Sequence, residues 1–236
     1  MFNGRLIYIF CLFFLGFCLN IHAEEYTKST IQVTGNGEIS ANPDVAYINI
    51  SVETSSKIAA DAVKQNAEKT QNVIKKIKSV ISENDKVKTT NYSLYPVYEY
   101  DDTAKKQYLQ EYRVVNEVLV ETYNLDNIAN LIDSTTTLGA NRINGPRFGL
   151  KNSDELERMA LVKAVEDARK TAETVSTAAG VKIIKILSIN PGYNTPAPYY
   201  DRGFESKAFA AESAPTPIEA GDLTITANVT IVYEIE

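Results

Sequence analysis

The chain has 236 residues, with 24 Lys and Arg against 30 Asp and Glu, for a formal net charge of −6. That acidity argues against a nucleic-acid binder, which would show a basic footprint. Both cysteines (Cys11, Cys18) and the one histidine (His22) fall within the first 23 residues, and tryptophan is absent.

Residues 1–23 read as a secretory signal peptide. Arg5 precedes an apolar run from Leu6 to Leu19, and Ile21-His22-Ala23 leads to the expected cut before Glu24. The run is shorter than the roughly 20 residues a spanning helix needs. An uncut anchor fits less well because Asn20 and His22 interrupt the run, and Phe17 before Cys18 does not suit a lipoprotein signal. Cleavage would remove Arg5, leaving residues 24–236 at −7 with no thiol or imidazole. Such a chain has no Cys nucleophile, no Ser–His pair, no disulfide, and no Cys or His ligand for zinc, haem or iron–sulfur. No later stretch approaches a membrane span, so no integral span is expected in the mature chain. No cofactor is expected either.

Along the chain, residues 30–39 predict a strand with Ile31 and Val33 on one face. Gly35-Asn36-Gly37 suggests a bulge within it. After the turn at Ala41-Asn42-Pro43-Asp44, residues 45–54 alternate, with Ala46, Ile48, Ile50 and Val52 on one side, and a hairpin with the first strand is expected. Ser55 or Ser56 is placed to cap a helix running to about Ser82. Residues 87–100 and 108–123 predict a second hairpin around the polar turn 101–106. Asn124 is placed to cap a short helix ending near Leu138-Gly139. Residues 142–150 predict a strand that Gly145-Pro146 confines to an edge or a bulge. Asn152 and Glu155 have the spacing of a capping box for the longest helix, whose alanine-rich stripe runs to a stop at Gly180. Residues 181–189, apolar on both faces, read as a central strand. Residues 190–221 hold five prolines with Tyr199 and Tyr200 and read as a long loop. Residues 223–235 then give the cleanest alternation in the chain.

The predicted order is β-β-α-β-β-α-β-α-β-β, an α+β fold of antiparallel-rich sheets covered by helices. Long helices argue against an outer-membrane barrel.

Several residues resemble the SIMPL domain family, the group of periplasmic immunogenic and oxidative-stress-defence proteins. They include Val33-Thr34-Gly35-Asn36-Gly37, Pro43-Asp44, Asn66, and Leu94-Tyr95-Pro96-Val97-Tyr98. Tyr112-Arg113-Val114, Gly145 with Phe148, the helix bearing Ala160, Ala164 and Ala168, and Pro217-Ile218 with Gly221 complete the set. The resemblance implies an exported protein of two small α/β sandwich subdomains, placed at residues 24–105 and 106–236. It brings no catalytic residues, and it makes self-association a reasonable expectation because some members of the family form rings.

The tyrosines supply the first candidate site. Tyr95, Tyr98, Tyr100, Tyr108 and Tyr112 fall within one predicted hairpin, and Tyr199 and Tyr200 lie in the proline-rich loop. Such aromatics make an interaction surface, although cross-strand pairing explains hairpin tyrosines equally well. Glu99, Asp101 and Asp102 are too few for a calcium shell and read as a solvated turn. Asp44, Asp154, Glu155 and Asp167 supply carboxylates that nothing in the sequence pairs. The expected function is a non-enzymatic periplasmic or envelope protein, with an association with the outer membrane among the expectations, that forms homo-oligomers and supports oxidative-stress tolerance. The alternatives are a carrier for a small ligand or envelope component, and a carboxylate-dependent hydrolase.

Overall fold

The computed structural model describes residues 28–192 and 216–236. In chain order it has β1 (Thr30–Ala41), β2 (Val45–Ser56), α1 (Ala59–Val80), β3 (Lys86–Asp101) and β4 (Lys106–Thr122). A 3-10 turn at Leu125–Asn127 runs into α2 (Ile128–Thr136), followed by β5 (Arg142–Gly149), α3 (Asp154–Ala179), β6 (Ile183–Gly192) and β7 (Leu223–Ile235). This is the α+β order that the sequence predicts. The strands form two antiparallel sheets: three strands ordered β1-β7-β6, and four ordered β3-β4-β2-β5. The signal segment, Tyr199 and Tyr200 lie outside the described residues.

Each sheet is apolar on one face and buries it under helix. In the four-stranded sheet, Ile48, Ile50 and Val52 of β2 and Val118 and Val120 of β4 meet Val73 and Ile77 of α1 and Ile128 and Leu131 of α2. Fully burying a side chain of this size is worth about 1.5–3 kcal/mol. α1 turns Ala62, Asn66, Thr70, Val73 and Ile77 inward, which is helical spacing. In the three-stranded sheet, Val33, Val229, Ile231 and Tyr233 meet Ala164, Ala168 and Ala172 of α3. Here the helix stripe is alanine at every fourth residue, and small side chains let the backbones close up.

The two glycines of β1 make that approach possible. A Cβ on Gly35 would lie 2.1 Å from the Ala164 carbonyl oxygen, and one on Gly37 would lie 1.9 Å from that of Ala160. The bulge expected at Gly35-Asn36-Gly37 is therefore not found. β1 pairs with β7 in unbroken register from Thr30↔Glu234 to Ala41↔Leu223. The glycines are there for a neighbouring helix rather than for a kink.

The expected β1–β2 hairpin is also not found, because the two strands belong to different sheets. Pro43 offers no backbone donor. Asp44 is drawn instead to β5: its N–H donates to the Gly149 carbonyl at 3.0 Å. Its carboxylate accepts from the Lys151 N–H at 2.6 Å. The chain thus crosses between sheets at this turn.

β6 is an edge strand, not a central one. It pairs with β7 through two register shifts, between Ile183 and Lys185 and between Ile186 and Ser188. α3 lies over β1 and β7 and barely reaches β6, so Ile184, Ile186, Leu187 and Ile189 stay exposed. An apolar run identified a strand, but its place in the sheet depends on where α3 sits.

The helix starts differ in detail from expectation. Ser55 and Ser56 remain in β2, and Ile58 occupies the cap of α1 with no side-chain cap bond. Asn124 gives no side-chain cap to the turn that follows it. At α3 the cap is Ser153, whose hydroxyl meets the Glu157 carboxylate, while Glu155 pairs with Arg158. Gly180 ends α3 in the left-handed region at φ 71°. β5, with Pro146, is the edge strand its proline requires.

Candidate functional interface

β4 pairs with β2 only as far as Ser56↔Tyr112. Beyond that point β3 and β4 pair solely with each other, through Val97↔Glu111, Tyr98↔Leu109, Glu99↔Tyr108, Tyr100↔Gln107 and Asp101↔Lys106. The hairpin therefore leaves the sheet as a two-stranded arm. Asp101 closes its tip, accepting from the Thr103 and Ala104 N–H groups at 2.8 and 2.9 Å.

Register assigns the aromatics to faces, because directly opposed residues share one. Tyr92↔Asn116, Leu94↔Val114 and Pro96↔Tyr112 put these β3 residues on the side of buried Val114. A register shift between Val97 and Tyr98 preserves the alternation on β3, so Tyr98 and Tyr100 follow on that same side, with Leu109 opposite Tyr98. This face continues the four-stranded core outward, past the start of α1. Near that start the helix is fastened to β2 by Thr54, whose hydroxyl donates to the Ala62 carbonyl at 2.9 Å. Farther out no helix among the described residues covers the face. Tyr92, Leu94, Tyr98, Tyr100 and Leu109 are exposed, with Tyr98 at 59% and Tyr100 at 52%. Tyr112 is half-buried at the base of the arm.

Tyr95 and Tyr108 lie on the opposite face and are tied to charged partners. Tyr108 donates its hydroxyl proton to Glu99 at 2.6 Å, and this bond is the main cause holding the phenol above its ordinary pKa. Tyr95 is paired opposite Arg113. The Arg113 guanidinium donates to Glu111 at 2.9 Å and faces Glu53 at 3.2 Å. The hydrogen bond from Arg113 is the first cause lowering the Glu111 pKa. The hairpin tyrosines of the sequence reading are thus divided between an apolar face and a polar face. Leu94 and Leu109 belong to the apolar face and were missed by a reading that sorted residues by aromaticity. The cross-strand register is the signal that finds them.

The candidate carboxylates are not brought together. Asp44 holds the Lys151 N–H and Glu155 pairs with Arg158. Asp167 accepts from the Asn36 N–H at 2.9 Å, pinning α3 to β1. Glu99 and Asp101 are taken up by the arm's own bonds. Among the described residues no group of three acids is placed to hold a metal ion.

A second cluster was not visible in the sequence. Tyr123 donates to Glu121 at 2.6 Å, Glu121 also pairs with Lys86, and the Lys151 ammonium sits 4.3 Å from the Tyr123 ring centre. The bond to Glu121 is the first cause raising the Tyr123 phenol from 10.0 to about 12. A phenol whose folded pKa exceeds its unfolded one adds stability below the unfolded value and loses it as pH rises through the folded one. The window for Tyr123 is therefore about pH 10 to 12. Tyr123→Phe is expected to reduce the late component of the alkaline phenolate absorbance titration by one phenol, leaving the share of Tyr108 and Tyr233, whose phenols are also raised. A titration unchanged by the substitution would rule out this assignment.

The match to known proteins extends over most of the chain. The model of the SIMPL family, described as a protein of unknown function (DUF541), matches residues 31–233. The chain belongs to the SIMPL family. It is 30% identical over 229 residues to a 26 kDa periplasmic immunogenic protein of Brucella melitensis, covering 93% of this chain and 92% of that one. It is 27% identical over 209 residues to the uncharacterized protein YggE of Escherichia coli, covering 87% of this chain and 83% of that one. The match begins within β1 and ends within β7, so both sheets belong to it. None of these descriptions names an enzymatic activity.

Proposed function

We propose that this SIMPL protein is a non-enzymatic protein of the periplasm that self-associates through the apolar face of the β3–β4 hairpin and its outer arm, and supports tolerance of oxidative stress. The carrying observation is the uncovered extension of the core face, with Tyr92, Leu94, Tyr98, Tyr100 and Leu109 exposed in one row. A two-stranded ribbon is marginally stable alone in water, so an arm with a bare apolar face gains from being covered. Export and a periplasmic location rest on the signal-like first 23 residues and on the name of the Brucella relative. The stress role rests on the family resemblance. The hydrolase reading has less support, because no Asp or Glu is buried among the described residues.

The test is light scattering coupled to size-exclusion chromatography on residues 24–236 over a range of concentrations. The unaltered protein should run as a defined oligomer. Tyr98→Ser/Tyr100→Ser should run as a monomer with an unchanged circular dichroism spectrum, since both side chains are exposed. A monomeric unaltered protein at every concentration would sink the self-association reading. Survival of a deletion strain under peroxide, with and without the restored gene, tests the stress role separately.

A further inference from the structure

Residues 24–236 hold no Cys, His or Trp, and Met159 is their one Met. A two-electron oxidant takes such a Met to its sulfoxide. A one-electron oxidant takes phenols instead, so the tyrosines decide how this chain meets radical chemistry.

The fold sorts those phenols. Tyr233 is buried, and Tyr47, Tyr112 and Tyr123 are half-buried. Tyr108 gives its hydroxyl proton to Glu99, and Tyr95 lies opposite Arg113 on the same polar face. Tyr92, Tyr98 and Tyr100 are left exposed together on the apolar face of the hairpin, away from those charged partners. They make up most of the row that also holds Leu94 and Leu109. Two copies that meet through one self-complementary face are related by a two-fold axis, so the row of one faces the row of the other. Packed sheet faces lie about 10 Å apart, a gap that side chains from both sides fill by interdigitating. Phenol is then the commonest neighbour of phenol across the contact.

We infer that Tyr92, Tyr98 and Tyr100 form a site of oxidative cross-linking between two copies of this chain, with hydrogen peroxide acting through a haem peroxidase as the oxidant. The inference rests on the self-association reading and adds a covalent step to it. Each phenol gives up one electron and its hydroxyl proton and becomes a tyrosyl radical. Two radicals, one from each copy, join through the ring carbons ortho to oxygen. The hydrogen on each joined carbon moves to the phenolic oxygen, and both rings are phenols again. Peroxide takes up the two electrons and two protons and leaves as two waters. A reversible contact thereby becomes a dityrosine bond under the oxidising conditions that this protein is proposed to meet.

The test treats residues 24–236 with hydrogen peroxide and a haem peroxidase, then resolves the product on a denaturing gel and digests it with trypsin. Tyr92, Tyr98 and Tyr100 fall in one tryptic peptide, 89–105. The expected product is a covalent dimer with dityrosine fluorescence, whose digest contains peptide 89–105 joined to a second copy of itself. Tyr92→Phe/Tyr98→Phe/Tyr100→Phe keeps the apolar rings, so it should keep the oligomer in light scattering and lose the cross-linked dimer. Tyr199→Phe/Tyr200→Phe should cross-link as before. The inference is overturned, with self-association left standing, if the oligomer yields no linked dimer, if the dimer survives the triple substitution, or if the bond maps to another peptide or stays within one copy. A protein that is monomeric at every concentration sinks both readings.

Discussion

Gly37→Ala is expected to be among the most damaging single-methyl additions in this protein. The new Cβ would lie 1.9 Å from the Ala160 carbonyl oxygen and 2.6 Å from the Ala164 nitrogen. Both are helix backbone, so no side-chain rotation relieves the clash. α3 would have to lift from β1, breaking the Ala164, Ala168 and Ala172 contacts that make the core of the three-stranded sheet. Overpacking a core typically costs about 1–3 kcal/mol, and a backbone clash of this size belongs at or above the upper end. Gly35→Ala should behave alike, its Cβ meeting the Ala164 oxygen at 2.1 Å. Gly221→Ala is the control, since nothing lies within 4 Å of its Cβ, and a change within about 0.5 kcal/mol is expected there. Urea unfolding of the three variants decides the matter. A Gly37→Ala protein as stable as Gly221→Ala would mean that α3 does not sit where it is described.

The second large effect belongs to Asn66, which is fully buried in the middle of α1. Its side-chain amide donates to the Val52 carbonyl at 2.8 Å and more weakly to the Val114 carbonyl at 3.4 Å. Its oxygen accepts from the Thr70 hydroxyl at 3.3 Å. One side chain thereby ties the helix to β2 and to β4. Asn66→Leu removes the donor but leaves the carbonyls and the Thr70 hydroxyl in place, and an unmatched buried polar group costs about 1–3 kcal/mol. A loss of about 2–3 kcal/mol in urea unfolding is therefore expected. Asn66→Asp should be worse near neutral pH, because it points a carboxylate at two carbonyl oxygens. Burial raises the pKa of such a carboxyl, so its penalty should fall as acid protonates it. Thr70→Val, which removes a single long hydrogen bond, should cost less than either. An Asn66→Leu protein of unchanged stability would show that the amide bonds add nothing net.

Alternation and helical spacing made the elements legible. Ile48, Ile50 and Val52 announced the buried face of β2, and Ala164, Ala168 and Ala172 announced the buried stripe of α3, although Val165 and Val175, which the same spacing assigned to it, are exposed. Partners were not legible, because period-2 patterning identifies a face and says nothing about which strand lies beside it. That is why β1 was given to β2 when it pairs with β7, some 190 residues away in sequence. It is also why β6 was placed inside a sheet: Ile184, Ile186, Leu187 and Ile189 look buried in sequence and are exposed at an edge. Asn66 carried a family resemblance but no visible job, since its two carbonyl partners lie on strands that only the fold brings together. The arm was half legible. Its tyrosines stood out in composition, and alternation along β3 separates Tyr98 and Tyr100 from Tyr95, while placing Tyr108 on the face of Tyr95 depends on the register shift after Val97.

The β1–β7 ladder bears on how the chain acquires its shape. Residues 45–149 contain every strand of the four-stranded sheet, and they lie between β1 and the elements that complete the other sheet. The four-stranded half can assemble from neighbouring segments as they emerge. β1 must wait for the 13 residues of β7, its only strand partner among the described residues. Closing so long a loop is entropically costly and kinetically late. During that wait β1 and the small-residue stripe of α3 have no finished surface to seat on. A chain that loses β7 would keep a locally contiguous half and forfeit the other, so β7 acts as the checkpoint for the three-stranded sheet.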